Sequence, residues 1–201
     1  VVLGIVVGVV AAVNHGKWVD SALMTISVFG ISAPAFWIAI ILQIVICLKF
    51  NLLPLSGIDS FKSFILPGIA LGTRYAASIA RITRTSMLDV LSQDYIRTAE
   101  AKGLKGWVVT IKHALRNALI PIITIAGSDL GNILTGSVLV ESVFSIPGIG
   151  KMLVDSINTR DLPIVQGGVM YIAVICVIMY LVVDLLYTVV DPRIRLGKES
   201  S

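Results

Sequence analysis

Long apolar stretches separated by short polar ones run through this chain. Residues Ala22–Leu48 and Leu162–Val183 carry no charged side chain. An apolar stretch of about 18 residues or more can cross the roughly 30 Å hydrocarbon core of a bilayer as a helix. Pro34 interrupts the first stretch, but proline is tolerated in lipid-embedded helices. The pattern therefore predicts two full spans of an all-α, polytopic membrane protein.

Three further apolar stretches extend this interpretation. Ser63–Ala80 is apolar except for Arg74, and Asn117–Val140 is apolar except for Asp129. Val1–Val13 is apolar but short for a complete crossing, so we expect the chain to begin inside a helix. About five membrane helices are predicted, the first of them truncated.

The polar stretches between the spans predict loops. Asn51–Lys62 and Glu141–Asp161 are rich in turn-forming residues, and the second of these loops centres on Ser145–Gly150. Residues 81–116 form the one long polar stretch between apolar spans. We expect this stretch to be the segment through which other proteins contact the membrane part.

The distribution of charge predicts the orientation of the chain. Apolar residues make up 56% of the chain and charged residues only 14%, which is not the composition of a soluble globular domain. If residues 81–116 are cytoplasmic, 11 of the 16 lysines and arginines lie in inside loops and 4 in outside loops. The positive-inside rule then places this segment and the carboxyl terminus in the cytoplasm.

The central polar segment has the pattern of two short helices. Asp94–Lys102 contains good helix formers, and Gly103 stands where a helix ends in a left-handed residue, with Leu104 as the apolar residue that packs back on such a cap. A second helix is expected to start near Gly106. Its predicted apolar face comprises Trp107, Val108, Ile111, Leu115, Ala118 and Leu119, with Lys105, Lys112, His113 and Arg116 on the other side.

Small residues beside Gly103, the hinge between the two short helices, predict a docking face. Thr98, Ala99 and Ala101 would let another backbone approach closely. A basic amphipathic helix pair held by anionic lipid headgroups is the alternative that the pattern alone leaves open.

The order of residues in this segment resembles the permease subunits of binding-protein-dependent ABC importers, whose cytoplasmic loop carries the pattern E-A-A-x-x-x-G-x9-I-x-L-P. Ala99, Gly103 and Leu115 match that pattern. The departures are Arg97, Thr98, His113 and Arg116. They are similar to the dipeptide, oligopeptide and nickel branch, where D-Y-x-R-T-A-x-A-K-G-L precedes H-A-L-R-N-A-L-I-P.

The resemblance covers nearly the whole chain. It continues through residues 141–150, 160–167, 184–187 and 191–195. Six helices are usual in this family, so the resemblance implies that the first helix, the external region after it and the start of the second precede Val1. It also implies a type I ABC importer transmembrane domain over residues 1–201, with its ATPase-coupling loop at about 85–116.

The resemblance also implies a function and partners. The chain would be a non-catalytic permease subunit of a di- or oligopeptide importer in the cytoplasmic (inner) membrane of a prokaryote. A second homologous permease, two cytoplasmic ATPase subunits that bind ATP and Mg²⁺, and an external solute-binding protein would complete it. Import of nickel or another small solute, or a non-transport membrane assembly or channel, are the alternatives.

Particular residues follow from this interpretation. The expected ATPase-coupling residues are Asp94, Tyr95, Arg97, Thr98, Ala99, Ala101, Lys102, Gly103 and Leu104. Arg74 and Asp129 lie at roughly mid-depth of their spans, where an ionisable side chain facing lipid costs roughly 2.5–3.5 kcal/mol. We expect both to face the bundle interior, where they either pair with each other or line the translocation path.

Other chemistries find little support in the sequence. The chain has no G-x-x-x-x-G-K-[ST] phosphate loop, so it is not itself the ATPase. His15 and His113 have no cysteine or carboxylate neighbours at metal-ligand spacing, and no serine, histidine and carboxylate set falls together on the predicted topology. We therefore expect no catalytic residue, no metal site and no cofactor in this chain.

The charge distribution gives a direct test of topology. A single cysteine introduced at Lys105 should react only with a label applied from the cytoplasmic side of oriented vesicles, and one at Asp59 only from the outside. Labelling in the reverse sense would overturn the predicted orientation.

Overall fold

The computed structural model describes residues 1–134 and 137–190. Those residues form helices and no strand, which confirms the predicted all-α class. The helices are α1 (Val2–Val13), α2 (Trp18–Ser32), α3 (Ala35–Leu42), α4 (Ile65–Leu91), α5 (Asp94–Ala101), α6 (Gly106–Val108), α7 (Arg116–Leu134), α8 (Val138–Val143), α9 (Ile149–Asn158) and α10 (Leu162–Val190). The π-helical segment Gln43–Lys49 prolongs α3, the π-helical segment Val109–Leu115 joins α6 to α7, and a 3₁₀ turn, Phe61–Phe64, precedes α4.

The chain divides into two compact units. Unit 1 comprises Val1–Val28, Ala76–Ser128 and the chain from Tyr180. Unit 2 comprises Phe29–Tyr75 and Asp129–Met179. Each unit has its own apolar core.

In unit 1, α1 packs on α4 through positions that have no side chain. A methyl group added at Gly4 would lie 2.6 Å from the carbonyl oxygen of Ala76, and one at Gly8 would lie 2.5 Å from that of Ala80. Backbones can approach this closely only where small residues repeat every four positions, which is a common way for membrane helices to associate.

The rest of the unit 1 core joins four helical segments. Its buried side chains come from α1, α4, α5 and the continuous helix that runs through α6, the π-helical segment and α7. They are Ala12, Ile79, Met87, Ile96, Ala99, Val109, Ala114, Ala118 and Ile122. The short helix α5 is therefore packed against α1, α4 and the helix that follows Gly106.

In unit 2, the core lies between α3, the start of α4 and α8. Its buried side chains are Ala39, Cys47, Leu66, Ala70, Val140 and Phe144. The Gln43 amide donates to the carbonyl oxygens of Leu55 (2.7 Å) and Val143 (3.0 Å), and the Gly57 amide donates to that of Phe144 (3.1 Å). The loop that follows α3 is thus hydrogen-bonded to the end of α8.

Several predicted spans agree with helices of the structure. Val2–Val13 is helical, and Leu162–Val183 is long and apolar enough to cross a membrane as part of α10. The predicted Ser63–Ala80 span lies within α4, which starts at Ile65 and continues to Leu91. Because α4 also carries Arg74, Arg81 and Arg84, its mean hydropathy is lower than that of the helices identified as able to cross a membrane.

The span predicted over Ala22–Leu48 is not one straight helix. The helical segments Trp18–Ser32 and Ala35–Lys49 meet at a 100° bend. Pro34 lies in the break with an extended backbone (φ −61°, ψ 133°), and its carbonyl oxygen accepts the first amide hydrogens of α3. The proline has no amide hydrogen for α2 and disfavours helical geometry in the residue before it, so one helix ends and a new one starts.

Three other boundaries also differ from the predictions. The second short helix of the central segment does not end before the next span, because Gly106–Gly131 is one helix long and apolar enough to cross a membrane. The span predicted to reach Val140 is interrupted at Ser137, whose backbone is extended, and α8 starts at Val138. The predicted loop Glu141–Asp161 contains the end of α8 and all of α9. Residues 191–195 and the rest of the carboxyl tail lie outside the described residues.

The close packing of α1 on α4 gives a stability prediction. Gly8→Ala should destabilise the solubilised protein by about 1–3 kcal/mol, because the new methyl group overlaps the Ala80 carbonyl and the Thr83 side chain. Thermal unfolding in detergent measures the change.

Gly72→Ala is the matched control. No atom lies within 4 Å of a methyl group added at Gly72, so the same substitution should be neutral or stabilising by about 0.5–1 kcal/mol through helix propensity. Equal melting temperatures for the two variants would show that the α1–α4 contact is not tight.

Candidate functional site

The short helix α5 presents most of its surface outward. Ile96 (1% exposed) and Ala99 (7% exposed) face the core of unit 1, and the other residues of the helix are exposed. These two buried residues are three positions apart, so they lie on one face of the helix. The exposed face carries Asp94, Tyr95, Arg97, Thr98 and Ala101, which belong to the predicted coupling residues.

The turn that follows α5 has the predicted geometry. Gly103 adopts a φ of +76°, the Gly103 amide donates to the Glu100 carbonyl (2.8 Å), and the Leu104 amide donates to the Ala99 carbonyl (3.4 Å). This hydrogen-bond pattern is the Schellman motif, in which the left-handed residue is usually glycine. The structure therefore confirms Gly103 as the residue that ends the helix.

A side-chain hydrogen bond connects α5 to the long helix that follows it. The Asn117 side-chain amide donates to the phenolic oxygen of Tyr95 at 2.8 Å and to the His113 carbonyl at 2.9 Å. The exposed pair Arg97 and Asp94 is looser, with 3.9 Å between Nη1 and Oδ1. The position of α5 thus depends on buried apolar contacts and on Tyr95, while its exposed charges stay free to meet another surface.

The structure corrects the role expected for Ala99. Its side chain is 7% exposed and packs in the core of unit 1, so it holds α5 in place and does not belong to the exposed face of the helix. Thr98 and Ala101 remain on the exposed side. The small-residue docking face is therefore narrower than the sequence indicated.

The apolar face predicted for the helix after Gly103 is buried only in part, since Ala118 is buried and Val108, Leu115 and Leu119 are half-buried. Trp107 and Ile111 are exposed by 68% and 50%, whereas Val109, Ala114, Ala118 and Ile122 are buried. The step of five residues from Val109 to Ala114 fits the wider hydrogen-bonded turn of a π-helix, which shifts the buried face relative to an α-helix. Lys105 is exposed, as predicted.

The two charged residues predicted within spans both belong to unit 2. Arg74 is exposed on α4, and Asp129 is half-buried on α7, with its Oδ2 atom buried and without a hydrogen-bond partner. Within the described part of the chain, the ion pairs with N···O of 4.0 Å or less do not include Arg74 with Asp129. Direct pairing is therefore absent from this structure, and lining of the path stays a prediction.

Glu141 connects the starts of α8 and α9 in unit 2. Its Oε2 accepts the Lys151 amide hydrogen (2.8 Å) in the first turn of α9, and its Oε1 accepts the Ser137 amide hydrogen (3.2 Å) at the start of α8. A side chain at Gly148 would collide with the Glu141 carboxylate, and one at Gly150 would collide with the Val138 side chain. The acid followed by the sequence Pro-Gly-Ile-Gly is the signal in the chain that could have identified this cap.

A second polar cluster was missed because its members are far apart in sequence. Arg84 on α4 donates to Asp20 at the start of α2, and His15 and Gly16 also contact the same carboxylate. A lone acid two residues after Trp18, at the edge of an apolar stretch, is the sequence signal for it. This cluster belongs to unit 1, as does α5.

Comparisons with known proteins agree with the permease family that the sequence resembles. The family described as "Binding-protein-dependent transport system inner membrane component" matches residues 4–196. The chain is 45% identical over 195 residues (97% of the chain) to the glutathione transport system permease protein GsiC of Escherichia coli strain K12. It is 46% identical over 200 residues (100% of the chain) to the dipeptide transport system permease protein DppB of Bacillus subtilis strain 168. The chain spans 64% and 65% of the lengths of these two relatives.

The mid-depth charges give a prediction for transport. Asp129→Asn and Arg74→Gln should each lower solute uptake by reconstituted complex about 10-fold or more if the charged groups line the path, since ionisable groups within spans are usually functional. Uptake is measured against the folded yield of each variant.

Exchanging the two residues separates a path role from a pairing role. The double variant Arg74→Asp, Asp129→Arg exchanges the two charges. If it takes up more solute than either single variant, the two groups attract each other in another state of the protein. Normal uptake by both single variants would remove Arg74 and Asp129 from the path.

Proposed function

We propose a function for this chain, which belongs to the family described as binding-protein-dependent transport system inner membrane components. The chain is a permease subunit of an ATP-driven importer of di- and oligopeptides. In this role it forms half of the translocation path and itself catalyses no reaction. The carboxyl terminus lies in the cytoplasm, in agreement with the distribution of lysine and arginine.

The observation that carries this proposal is the geometry of α5 and its turn. An exposed two-turn helix, ended by Gly103 and seated through only two buried side chains, offers a compact surface to a cytoplasmic partner. Helix displacement is a common way to pass a conformational change between packed proteins. A push on the exposed face of α5 would reach α1, α4 and the helix after Gly106 through Ile96 and Ala99.

The partners of the proposed importer supply what this chain lacks. Two ATPase subunits bind ATP and Mg²⁺ and dock on α5, a second homologous permease completes the path, and an external binding protein delivers the solute. ATP then favours one of two arrangements of the membrane helices, which is a shift in population between states. The chain contributes the docking surface, half of the path and the helices that move.

Peptides are the proposed class of solute because the compared relatives transport glutathione and dipeptides, according to their names. Both solutes are short chains of amino acids. Import of nickel or another small solute by the same architecture is the second candidate. Uptake assays with labelled dipeptide, glutathione and Ni²⁺, each with the corresponding binding protein, separate these candidates.

Gly103→Asp tests the docking role of the α5 segment. A methyl group added at Gly103 would meet no atom within 4 Å, so the substitution costs only about 1–2 kcal/mol for the left-handed backbone. We expect membrane insertion close to normal, together with lower recovery of ATPase subunits on purification or ATP hydrolysis without uptake. Uptake and ATPase activity are measured side by side on reconstituted complex.

Two variants of nearby residues serve as controls. Lys105→Ala removes an exposed charge, and Gly106→Asp adds the same side chain in the first turn of α6, where an acid complements the helix dipole. Both should be mild. Coupled transport at the normal rate in Gly103→Asp would contradict the docking role and favour an interfacial helix held by lipid.

A further inference from the structure

A buried ion pair joins the first turn of α2 to α4. Asp20 is 4% exposed, and Arg84 grips its carboxylate with two bonds, from Nε to Oδ1 (2.6 Å) and from Nη2 to Oδ2 (2.7 Å). The Gly16 amide donates to Oδ2 at 3.2 Å. A planar guanidinium bound in this forked way fixes direction as well as distance.

His15 contributes less to the cluster than Arg84 does. Its Nδ1 atom lies 3.2 Å from Oδ2 of Asp20 and 3.0 Å from Nη2 of Arg84. One ring nitrogen can donate to the carboxylate or accept from the guanidinium, but cannot do both at once. The His15 side chain is also 61% exposed, whereas that of Asp20 is 6% exposed and that of Arg84 23% exposed. The forked pair is therefore the fixed part of the cluster.

The ion pair lies next to the contact between α1 and α4. Gly8 of α1 packs against Ala80 and Thr83, and Arg84 is the next residue of α4. Backbone packing holds one side of this contact, and the ion pair holds the turn that follows α1. The cytoplasmic end of α4 in unit 1 is thus fixed in two independent ways.

This fixed region is also the seat of α5. Ala12 near the end of α1, Met87 one turn beyond Arg84, and Ile96 and Ala99 of α5 belong to the same buried core. Only Ser92 and Gln93 separate α4 from α5. Any shift of the end of α4 would therefore move the helix that carries the proposed docking surface.

We infer that Asp20 and Arg84 are positioning residues of the docking segment, which hold the end of α1, the end of α4 and α5 as one body, so that a push on α5 is passed to the membrane helices. The inference rests on the proposed function, since only a partner that pushes on α5 makes the rigidity useful. A pair that merely stabilises the fold would affect folded yield and uptake together. A positioning pair affects the coupling between ATP hydrolysis and uptake even where folding is normal.

Asp20→Asn, made in the assembled complex, is the first test. The variant keeps the shape of the side chain but leaves Arg84 without its buried counter-charge. Hydrogen exchange should become faster by about 10-fold or more in the amides of α5, as expected when a local opening becomes easier. Lys17→Ala, in the same turn but exposed, should leave that exchange unchanged.

A double variant separates positioning from plain stability. Asp20→Asn combined with Arg84→Gln removes both charges, so no unpaired charge remains buried and the folded yield should recover. Solute uptake per ATP hydrolysed should nevertheless stay at least about 10-fold below that of the unmodified complex, because neutral amides do not reproduce the forked bond. Arg84→Lys, which keeps the charge but not the fork, should give an intermediate ratio.

The two measurements fail independently. Exchange in α5 needs no solute, so a complex that imports no peptide would remove the proposed function without deciding the positioning role. Unchanged exchange in Asp20→Asn would overturn the inference even in a complex that transports peptides. Normal uptake per ATP in the double variant would also overturn it, because the pair would then serve stability alone.

Discussion

A charge without a partner is costly in hydrocarbon, and this constraint governs where the ionisable side chains of the chain lie. Asp20 is buried only because Arg84 binds both of its oxygens. Glu141 is enclosed by two glycines only because backbone amides at the starts of two helices donate to it. Asp129 departs from this pattern among the described residues, since one of its oxygens is buried and has no hydrogen-bond partner, which is the reason to consider it as a functional group.

Small residues serve a second purpose beside these bonds. Gly4 and Gly8 bring α1 against the carbonyl groups of α4, and Ala12 and Ala99 let the end of α1 and α5 share one core. Contacts of this kind leave little free volume, so the packed elements move together rather than past one another. The helix α5 therefore packs on a stiff support, while its outer face stays exposed.

The helical class, the turn at Gly103 and the exposure of Lys105 could be predicted from the sequence because each depends on local pattern. The bend at Pro34 could not, since a proline within an apolar stretch is compatible with both a kinked span and a broken one. The buried position of Ala99 depends on packing partners distant in sequence. The shifted buried face around Val109 depends on π-helical geometry. The bond between Asp20 and Arg84 likewise requires knowing which helices are neighbours.

The distance along the chain between Asp20 and Arg84 also affects how the protein is made. The two residues lie 64 positions apart. At synthesis rates of about 5–20 residues per second, the acid waits about 3–13 seconds for its partner to leave the ribosome. The turn at Gly103 needs only residues within five positions of one another and can form in microseconds. Because Arg84 precedes Gly103 in the chain, it leaves the ribosome first. The ion pair between Asp20 and Arg84 can therefore close before the turn that ends α5 has been synthesised.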